Sequence, residues 1–539
     1  MADIALKTSH YFPQPEMPLR DMTVGGALRD AAARWPAREA LVEAFADGAT
    51  GRRWTFAALL GECERLAQAL LTRFAPGERV AVWAPNLPEW VMLEFALGLA
   101  GLPLVTINPG YRKRELDYVL RQSRASGLFL VGEFRGNPMA EIAAEVAAEL
   151  PALREVTDMA DREALFRLAG EPPALPAVSP RDAAQIQYTS GTTGFPKGVV
   201  LHHHGLTNNA SHFCATAGIG EGETALTMMP LFHTAGCSMS VLGALQSGCP
   251  NVLLQQFDPN GALDLIEREQ VRWLLGVPSM LIAMIEAQAG RPRKLASLGV
   301  VTSGGAMVPP ELVREAHASF DCALLTVYGQ TESSPLLTMS RPGDAFDDIC
   351  NTIGRPIPHT ELAIFDPAGD TILPLGAVGE IRARAYSVML GYNDDPDATA
   401  ITVDAEGWLH TGDLGTLDKR GFVRITGRVK DMIIRGGENL FPAEIENVLL
   451  EHPGVAEVAV VGVPDAKYGE AVAAFVRPAA GAAFDPAALK AYCRVQIAAQ
   501  KTPSHWIEVS EWPLTGSGKI QKFELRNQWL AANEGAAQD

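Results

Sequence analysis

The chain has 539 residues, 47% of them hydrophobic and 20% charged, which are globular proportions in a chain too long for one hydrophobic core, so more than one domain is expected. A formal net charge of −18 argues against nucleic acid or an anionic membrane as the main partner, and any anionic ligand would need local basicity. The seven cysteines are scattered, odd in number and without a C-x-x-C pair, which argues against a disulfide framework or a zinc site and fits a reducing compartment. The start, Met-Ala-Asp-Ile-Ala-Leu-Lys, holds no apolar signal core, and the most apolar stretch, 91–107, is interrupted by Glu94, Gly98, Gly101 and Pro103. A cytoplasmic protein without a membrane span is the expectation.

Over 55–74 apolar residues recur at helical spacing (Phe56, Leu59, Leu60, Cys63, Leu66, Ala67, Leu70), and 79–83 follows as a short buried strand. Pro85-Asn86-Leu87-Pro88 turns the chain into a helix over 90–99, and 104–107 is strand-like. The same β-α-β rhythm returns with a strand at 252–254, a helix over 261–270 and a strand at 273–275, which predicts parallel sheets covered by helices. After Leu362 short strands and turns take over, as at 362–365, 379–383 and 422–425, marking a β-rich subdomain over about 355–429. Beyond it, a helix (442–452), strands (455–461 and 471–476) and a further helix (485–497) compose a small α+β unit. The boundary is placed at Lys430, giving an N-terminal domain of 1–429 and a C-terminal domain of 430–539.

Between Tyr188 and Gly198 the chain reads Tyr-Thr-Ser-Gly-Thr-Thr-Gly-Phe-Pro-Lys-Gly. Glycines let backbone N–H groups turn inward, Ser190, Thr192 and Thr193 add hydroxyl donors, and Lys197 brings a full charge, so this is a loop suited to polyphosphate. The spacing of Gly191, Gly194, Lys197 and Gly198 does not fit G-x-x-x-x-G-K-S/T, and apolar Val199, Val200 and Leu201 follow, which predicts strand, loop, strand. The alternative is a Gly- and Thr-rich hairpin turn. A second basic run carries Lys419, Arg420, Arg424, Arg428, Lys430 and Arg435 against Asp418 and Asp431, and is either an anion-binding surface or a solvated charged hairpin.

Taken together with Met228-Met229-Pro230-Leu231-Phe232-His233, Ser303-Gly304-Gly305-Ala306, Tyr328-Gly329-Gln330-Thr331-Glu332, Thr411-Gly412-Asp413, Gly427-Arg428-Val429-Lys430-Asp431 and Pro513-Leu514-Thr515-Gly516-Ser517-Gly518-Lys519-Ile520, in that order, the loop resembles the signature of the adenylate-forming superfamily, in particular its acyl-CoA synthetases and fatty-acid–CoA ligases. The resemblance covers nearly the whole chain. It implies an α/β fold: a large N-terminal domain of helix-covered mixed sheets plus the β-rich subdomain, and a small mobile α+β C-terminal domain. The activity it implies is ATP-dependent formation of an acyl adenylate with release of pyrophosphate, then transfer of the acyl group to the thiol of CoA, with Mg²⁺ as metal.

By the same resemblance Thr189, Ser190, Gly191, Thr192, Thr193, Gly194 and Lys197 hold the β and γ phosphates, and Glu332 binds Mg²⁺, which prefers oxygen ligands beside phosphates. Tyr328 lies against adenine, with Gly304, Gly305, Ala306, Gly329, Gln330 and Thr331 around the nucleotide. Asp413 accepts from the ribose hydroxyls and Arg428 donates to the same sugar. His233 borders the carboxylate pocket; a carboxylate nucleophile needs no general base. Lys519 enters from the small domain to bridge the substrate carboxylate and the α-phosphate, and the small domain turns about Lys430 to present Gly436, Gly437 and Glu438 to CoA.

The pocket positions inferred this way, Phe232, His233, Thr234, Cys237, Ser238, Gly304, Gly305, Gly329, Gln330 and Pro335, are small or weakly polar, and no Arg or Lys follows His233 closely to pair a second carboxylate. A mainly apolar monocarboxylic acid is favoured, a medium or longer fatty acid or an aryl acid. The lack of an aspartate around 233–238 disfavours amino acids. A homodimer is compatible with this reading. The alternatives are an acyl-AMP ligase that delivers to a carrier protein and a catalytically silent nucleotide-binding sensor.

Overall fold

The computed structural model describes residues 5–189, 196–306, 308–436, 438–465, 467–479, 481–513 and 520–533. Val80–Trp83, Leu104–Ile107 and Gly127–Leu130 are four-residue apolar segments in which every residue is buried, the pattern of parallel strands covered on both faces. Among the described residues such strands compose two large mixed sheets, of seven and nine strands, beside two five-stranded ones.

In the seven-stranded sheet Leu104–Ile107 runs parallel to Ala183–Thr189, which turns back into antiparallel Lys197–His202. Thr189 and Lys197 face each other in this register, so the two described ends of the Gly- and Thr-rich loop are cross-strand neighbours. The two-residue strand Gly391–Tyr392 adds to the far side of Lys197–His202. In the nine-stranded sheet Val300–Gly304 and Ala323–Gly329 lie side by side and parallel, so residues 305–306 and 330–332 leave the sheet at one edge, where ligands of α/β sheets bind.

Helix Pro88–Ala100 packs in the core shared by these sheets with helices Val24–Arg34 and Phe56–Leu71. Proline starts it without losing a needed N–H, Gly101 ends it at φ +67°, and all of its residues but Glu89 are buried. Such a helix is apolar on all sides, yet it carries Glu94. None of the described helices is long and apolar enough to cross a membrane.

The third sheet is wholly antiparallel: Thr360–Phe365, Gly379–Ala385, Leu409–Leu417 and Val423–Arg428, with His10–Tyr11 at its edge. The N-terminal strand is absent from the 355–429 reading, because two residues are too few to show a period, and Arg355–Pro356 belongs instead to the nine-stranded sheet. After the turn Val429–Asp431, strands Ile433–Arg435, Glu438–Leu440, Val455–Asp465, Gly469–Pro478 and His505–Glu508 form the fourth sheet, flanked by helices Pro442–Leu450, Pro486–Gln496 and Lys522–Asn533. All seven cysteines are free and buried, and burial raises the pKa of each thiol.

Candidate active site

Register builds the first part of the site. Asp413 stands directly opposite Arg428 across the hairpin of Leu409–Leu417 and Val423–Arg428, and its Oδ1 forms an ion pair with Arg428 Nε at 3.0 Å. Its Oδ2 accepts from the hydroxyl of Tyr328 at 2.8 Å. Tyr328 comes from the nine-stranded sheet, so this bond ties the antiparallel sheet to the large one. The phenol is buried, and burial first, then the Asp413 charge, pushes its pKa well above the ordinary value, so it stays a donor. Each carboxylate oxygen keeps a second lone pair, which a ribose hydroxyl could use. The three residues singled out separately in the sequence are thus one group, joined by a hydrogen bond and an ion pair.

The second part sits where the large sheets meet. Lys197, Tyr392 and Glu332 are half-buried neighbours: the Lys197 ammonium lies 4.8 Å from the centre of the Tyr392 ring, and the Tyr392 hydroxyl donates to Glu332 Oε1 at 2.7 Å. Glu332 lies in the 3-10 turn Thr331–Ser333, whose loop is closed by Gln330 N–H donating to the Pro335 carbonyl at 2.9 Å. Tyr392 has no part in the sequence reading. A lone tyrosine sixty residues beyond Glu332 carries no spacing signal, and only the pairing of Gly391–Tyr392 with Lys197–His202 brings it in.

Gly304 and Gly305 differ in cause. A Cβ on Gly304 would meet the Val327 carbonyl oxygen at 2.2 Å, so the adjoining strand already demands glycine there. Gly305 is exposed at φ +76°, where a Cβ would meet only Val277 Cγ1 at an ordinary 3.7 Å, and it, followed by exposed Ala306, is the position at which backbone is free to approach a ligand.

On the acyl side, Thr106 Oγ1 donates to the Phe232 carbonyl at 2.9 Å, and the half-buried His233 ring lies 4.3 Å from the Phe232 ring, tilted by 43°. A π-helical segment, Ala235–Leu242, follows buried Thr234 and carries Cys237 and Ser238, both buried. Cys237 faces Ala183–Thr189, where Gln187 Nε2 lies 3.4 Å from its sulfur. Gln187 Nε2 also donates to Gln185 Oε1 at 2.7 Å, and Gln185 Nε2 to Glu94 Oε1 at 2.8 Å. Glu94 Oε2 and Gln187 Oε1 are buried without a partner. Desolvation raises the Glu94 carboxyl to about 8, so it is neutral near pH 7. Glu94 reads in the sequence only as a break in an apolar run; it is the charged-type residue that this core holds protonated.

Other expected positions are not gathered here. Ser190, Gly191, Thr192, Thr193, Gly194, Gly437 and Lys519 lie outside the described residues. Gly436 is exposed in the fourth sheet, its N–H donating to the Tyr468 carbonyl at 2.7 Å, and Glu438 pairs with Arg435 in the same sheet. The basic run does not act as one patch. Arg420 is taken up by Asp348 and Asp418, Arg424 donates to the Asn351 carbonyl, Arg435 lies over the Tyr468 ring, and Arg428 faces Asp413.

A family model described as AMP-binding enzyme matches residues 28–393, and one described as AMP-binding enzyme C-terminal domain matches residues 444–519. The human mitochondrial medium-chain acyl-CoA ligase ACSF2 is 34% identical over 95% of this chain and 88% of its own. A methyl-dioxo-octahydro-indenyl propanoyl:CoA ligase of Mycobacterium tuberculosis (strain ATCC 25618 / H37Rv) is 37% identical over 94% of this chain and 98% of its own. The crystal structure of ATP-bound MatB from Rhodopseudomonas palustris shares the fold with a TM-score of 0.84 at 28% identity, over 94% of this chain and 99% of that one. Nearly full-length likeness of this kind, on a chain that bonds Tyr328 to Asp413 and sets Tyr392 against both Lys197 and Glu332, shows that the protein belongs to the AMP-binding enzymes of the adenylate-forming superfamily and is an AMP-forming acid–CoA ligase.

Proposed function

We propose that the chain activates a mainly apolar monocarboxylic acid, a medium- or long-chain fatty acid or an aryl acid, and that Asp413, Arg428, Tyr328, Lys197 and Glu332 hold the ATP that does so. The observation that carries this is a ribose-type acceptor group around Asp413, bonded to Tyr328, followed along the chain from Tyr328 by the turn whose Glu332 shares Tyr392 with Lys197.

The acid's carboxylate attacks the α-phosphate in line, and pyrophosphate leaves. The barrier is electrostatic, because an anion approaches an anion, so cations on the non-bridging and leaving oxygens are what help. Lys197 serves the leaving pyrophosphate and Lys519 bridges the carboxylate and the α-phosphate. Glu332 fits a role as the protein's ligand to Mg²⁺: among the described residues no group of three or more His, Cys, Asp or Glu offers a full protein cage, and a single carboxylate beside phosphates is how this ion is commonly held. The ion's part would be to neutralise phosphate charge.

For the second step Lys519 must withdraw. The turn Val429–Asp431 is the short link between Arg428 and the fourth sheet, which supports a hinge at Lys430 between domains 1–429 and 430–539. Turning about it would bring Gly436, Gly437 and Glu438 to the CoA thiol, whose sulfur attacks the acyl carbon as AMP departs.

The substrate class rests on the acyl side. Thr234, Cys237 and Ser238 bring no charge, and the neutral Glu94 carboxyl behind Cys237 offers no cation to a second carboxylate. The names of the human and mycobacterial relatives, one medium-chain and one a ring-bearing propanoyl ligase, agree with an apolar acid. A panel of fatty, aryl, dicarboxylic and amino acids, assayed with ATP, Mg²⁺ and CoA for acyl-CoA by mass, tests this. Apolar monocarboxylates should give product and should release pyrophosphate without CoA; preference for a dicarboxylic or amino acid would overturn it.

A further inference from the structure

We propose that Tyr392 is a positioning residue that sets both Lys197 and Glu332 and keeps the two from pairing with each other. This rests on the reading of Lys197 as a phosphate residue and Glu332 as a Mg²⁺ ligand.

The backbone around Tyr392 is fastened to the segments that carry both partners. Gly391 and Tyr392 pair with Val200 and Val199, on the strand that begins at Lys197. The Leu390 N–H donates to the Val200 carbonyl at 2.9 Å and the Asn393 N–H to the Gly198 carbonyl at 2.7 Å. The Asn393 amide donates to the Gln122 carbonyl at 2.7 Å, and the Tyr392 N–H to Thr399 Oγ1 at 2.8 Å. On the other side, the Met389 N–H donates to the Glu332 carbonyl at 2.8 Å. Five consecutive residues, 389–393, thus bridge the strand of Lys197 and the turn of Glu332, and the side chain that touches both Lys197 and Glu332 is a tyrosine.

The chemistry suits a spacer. A tyrosine that merely fills a core gives its hydroxyl to whatever acceptor is at hand; this one gives it to a half-buried carboxylate oxygen, at 2.7 Å. The bond occupies Oε1 and turns the carboxylate so that Oε2 is left for a cation. The ring face meanwhile attracts the Lys197 ammonium at 4.8 Å, holding it extended without neutralising it. A direct ion pair between Lys197 and Glu332 would remove from the site both the cation that phosphate needs and the carboxylate that the metal needs. Among the described ion pairs neither residue has one.

Two variants separate the functions of the hydroxyl and the ring. Tyr392→Phe keeps the ring, so calorimetric affinity for ATP in EDTA should match wild type, while the gain in affinity on adding Mg²⁺ should shrink by about 10-fold or more, the scale of one hydrogen bond to a charged group. The Mg²⁺ concentration giving half-maximal ATP–pyrophosphate exchange should rise in parallel, with the KM for the acid unchanged. Tyr392→Leu should in addition weaken ATP binding in EDTA by several-fold, from the lost cation–ring contact. Thermal melts of the free variants within a few degrees of wild type show that each is folded; if Tyr392→Leu melts early, Tyr392→Phe alone decides. Equal weakening of Tyr392→Phe with and without Mg²⁺, or no change in either, overturns the proposal. Glu332→Gln is the control for the underlying reading. If it loses the Mg²⁺ gain while Tyr392→Phe keeps it, Tyr392 alone is refuted; if it keeps the gain, the metal role of Glu332 falls and the proposal with it.

Discussion

At the proposed nucleoside end Asp413 is 7% exposed and both of its oxygens are already engaged, one by a hydrogen bond from Tyr328 and the other by an ion pair with Arg428. At the proposed phosphate end Lys197 and Glu332 are half-buried, and what stands between them is an aromatic ring. The difference follows from what each end must meet. A ribose is neutral, so its acceptor can be fixed in advance by strand register, with its charge balanced by Arg428. Polyphosphate and its metal bring large charges of their own, and a cation and an anion kept for them cannot be used up on each other beforehand. The first end is finished before the ligand arrives; the second is held open.

Each end breaks differently. The largest effect is expected at Lys430, two residues past Arg428: Lys430→Pro fixes φ in the linking turn, so adenylate formation should persist while thioester formation is lost. Separate assays of ATP–pyrophosphate exchange and acyl-CoA production measure this, and equal loss of both would count against a hinge. Lys519→Ala should depress the adenylation rate by roughly 10² to 10³, the scale of one key electrostatic donor, with nucleotide affinity little changed. Unaltered exchange in that variant would sink its assignment. Asp413→Ala strikes the finished end. It leaves Tyr328 and Arg428 without their acceptor and should raise the KM for ATP by roughly 10- to 100-fold, whatever the Mg²⁺ concentration, since charged-group hydrogen bonds are worth about 1.5–3 kcal/mol each. A defect that Mg²⁺ rescues would erase the distinction between the ends.

The smallest effect concerns stability. The Glu94 carboxyl is raised from 4.5 to about 8 in the folded chain. Its contribution to stability is therefore complete below the unfolded value, falls as the unfolded carboxyl ionises while the folded one does not, and is lost once pH rises through the folded value. Glu94→Gln keeps an acceptor for Gln185 and removes the titration, so its melting temperature should gain on wild type between about pH 5 and about pH 8.5. Melting curves that stay parallel over that range would show that Glu94 does not titrate as its burial demands.

Most of the large elements are legible because their apolar residues keep time. The strands either side of the phosphate-type loop show as Tyr188 and Val199–Leu201, and the helix read over 90–99 starts two residues earlier, at Pro88, because proline serves as its first residue. The site is legible residue by residue but not as a geometry. Asp413 and Arg428 stand out in their own segments, whereas their facing each other is a fact of hairpin register. Tyr392 is silent because a sheet edge, not a spacing, brings it to Glu332. Glu94 misleads in a different way: a carboxylate in an apolar run suggests exposure, and only its neutral form explains how a fully packed helix keeps it.

The sequestered cysteines have a practical side. A thiol reacts with a colorimetric disulfide or a maleimide as the thiolate, and in this protein all seven are shielded from the reagent and held protonated. The native enzyme should therefore be nearly invisible to such dyes, so that the free CoA left in samples withdrawn during turnover can be titrated without a background from the protein. Any thiol signal that grows without substrate would report the chain coming apart.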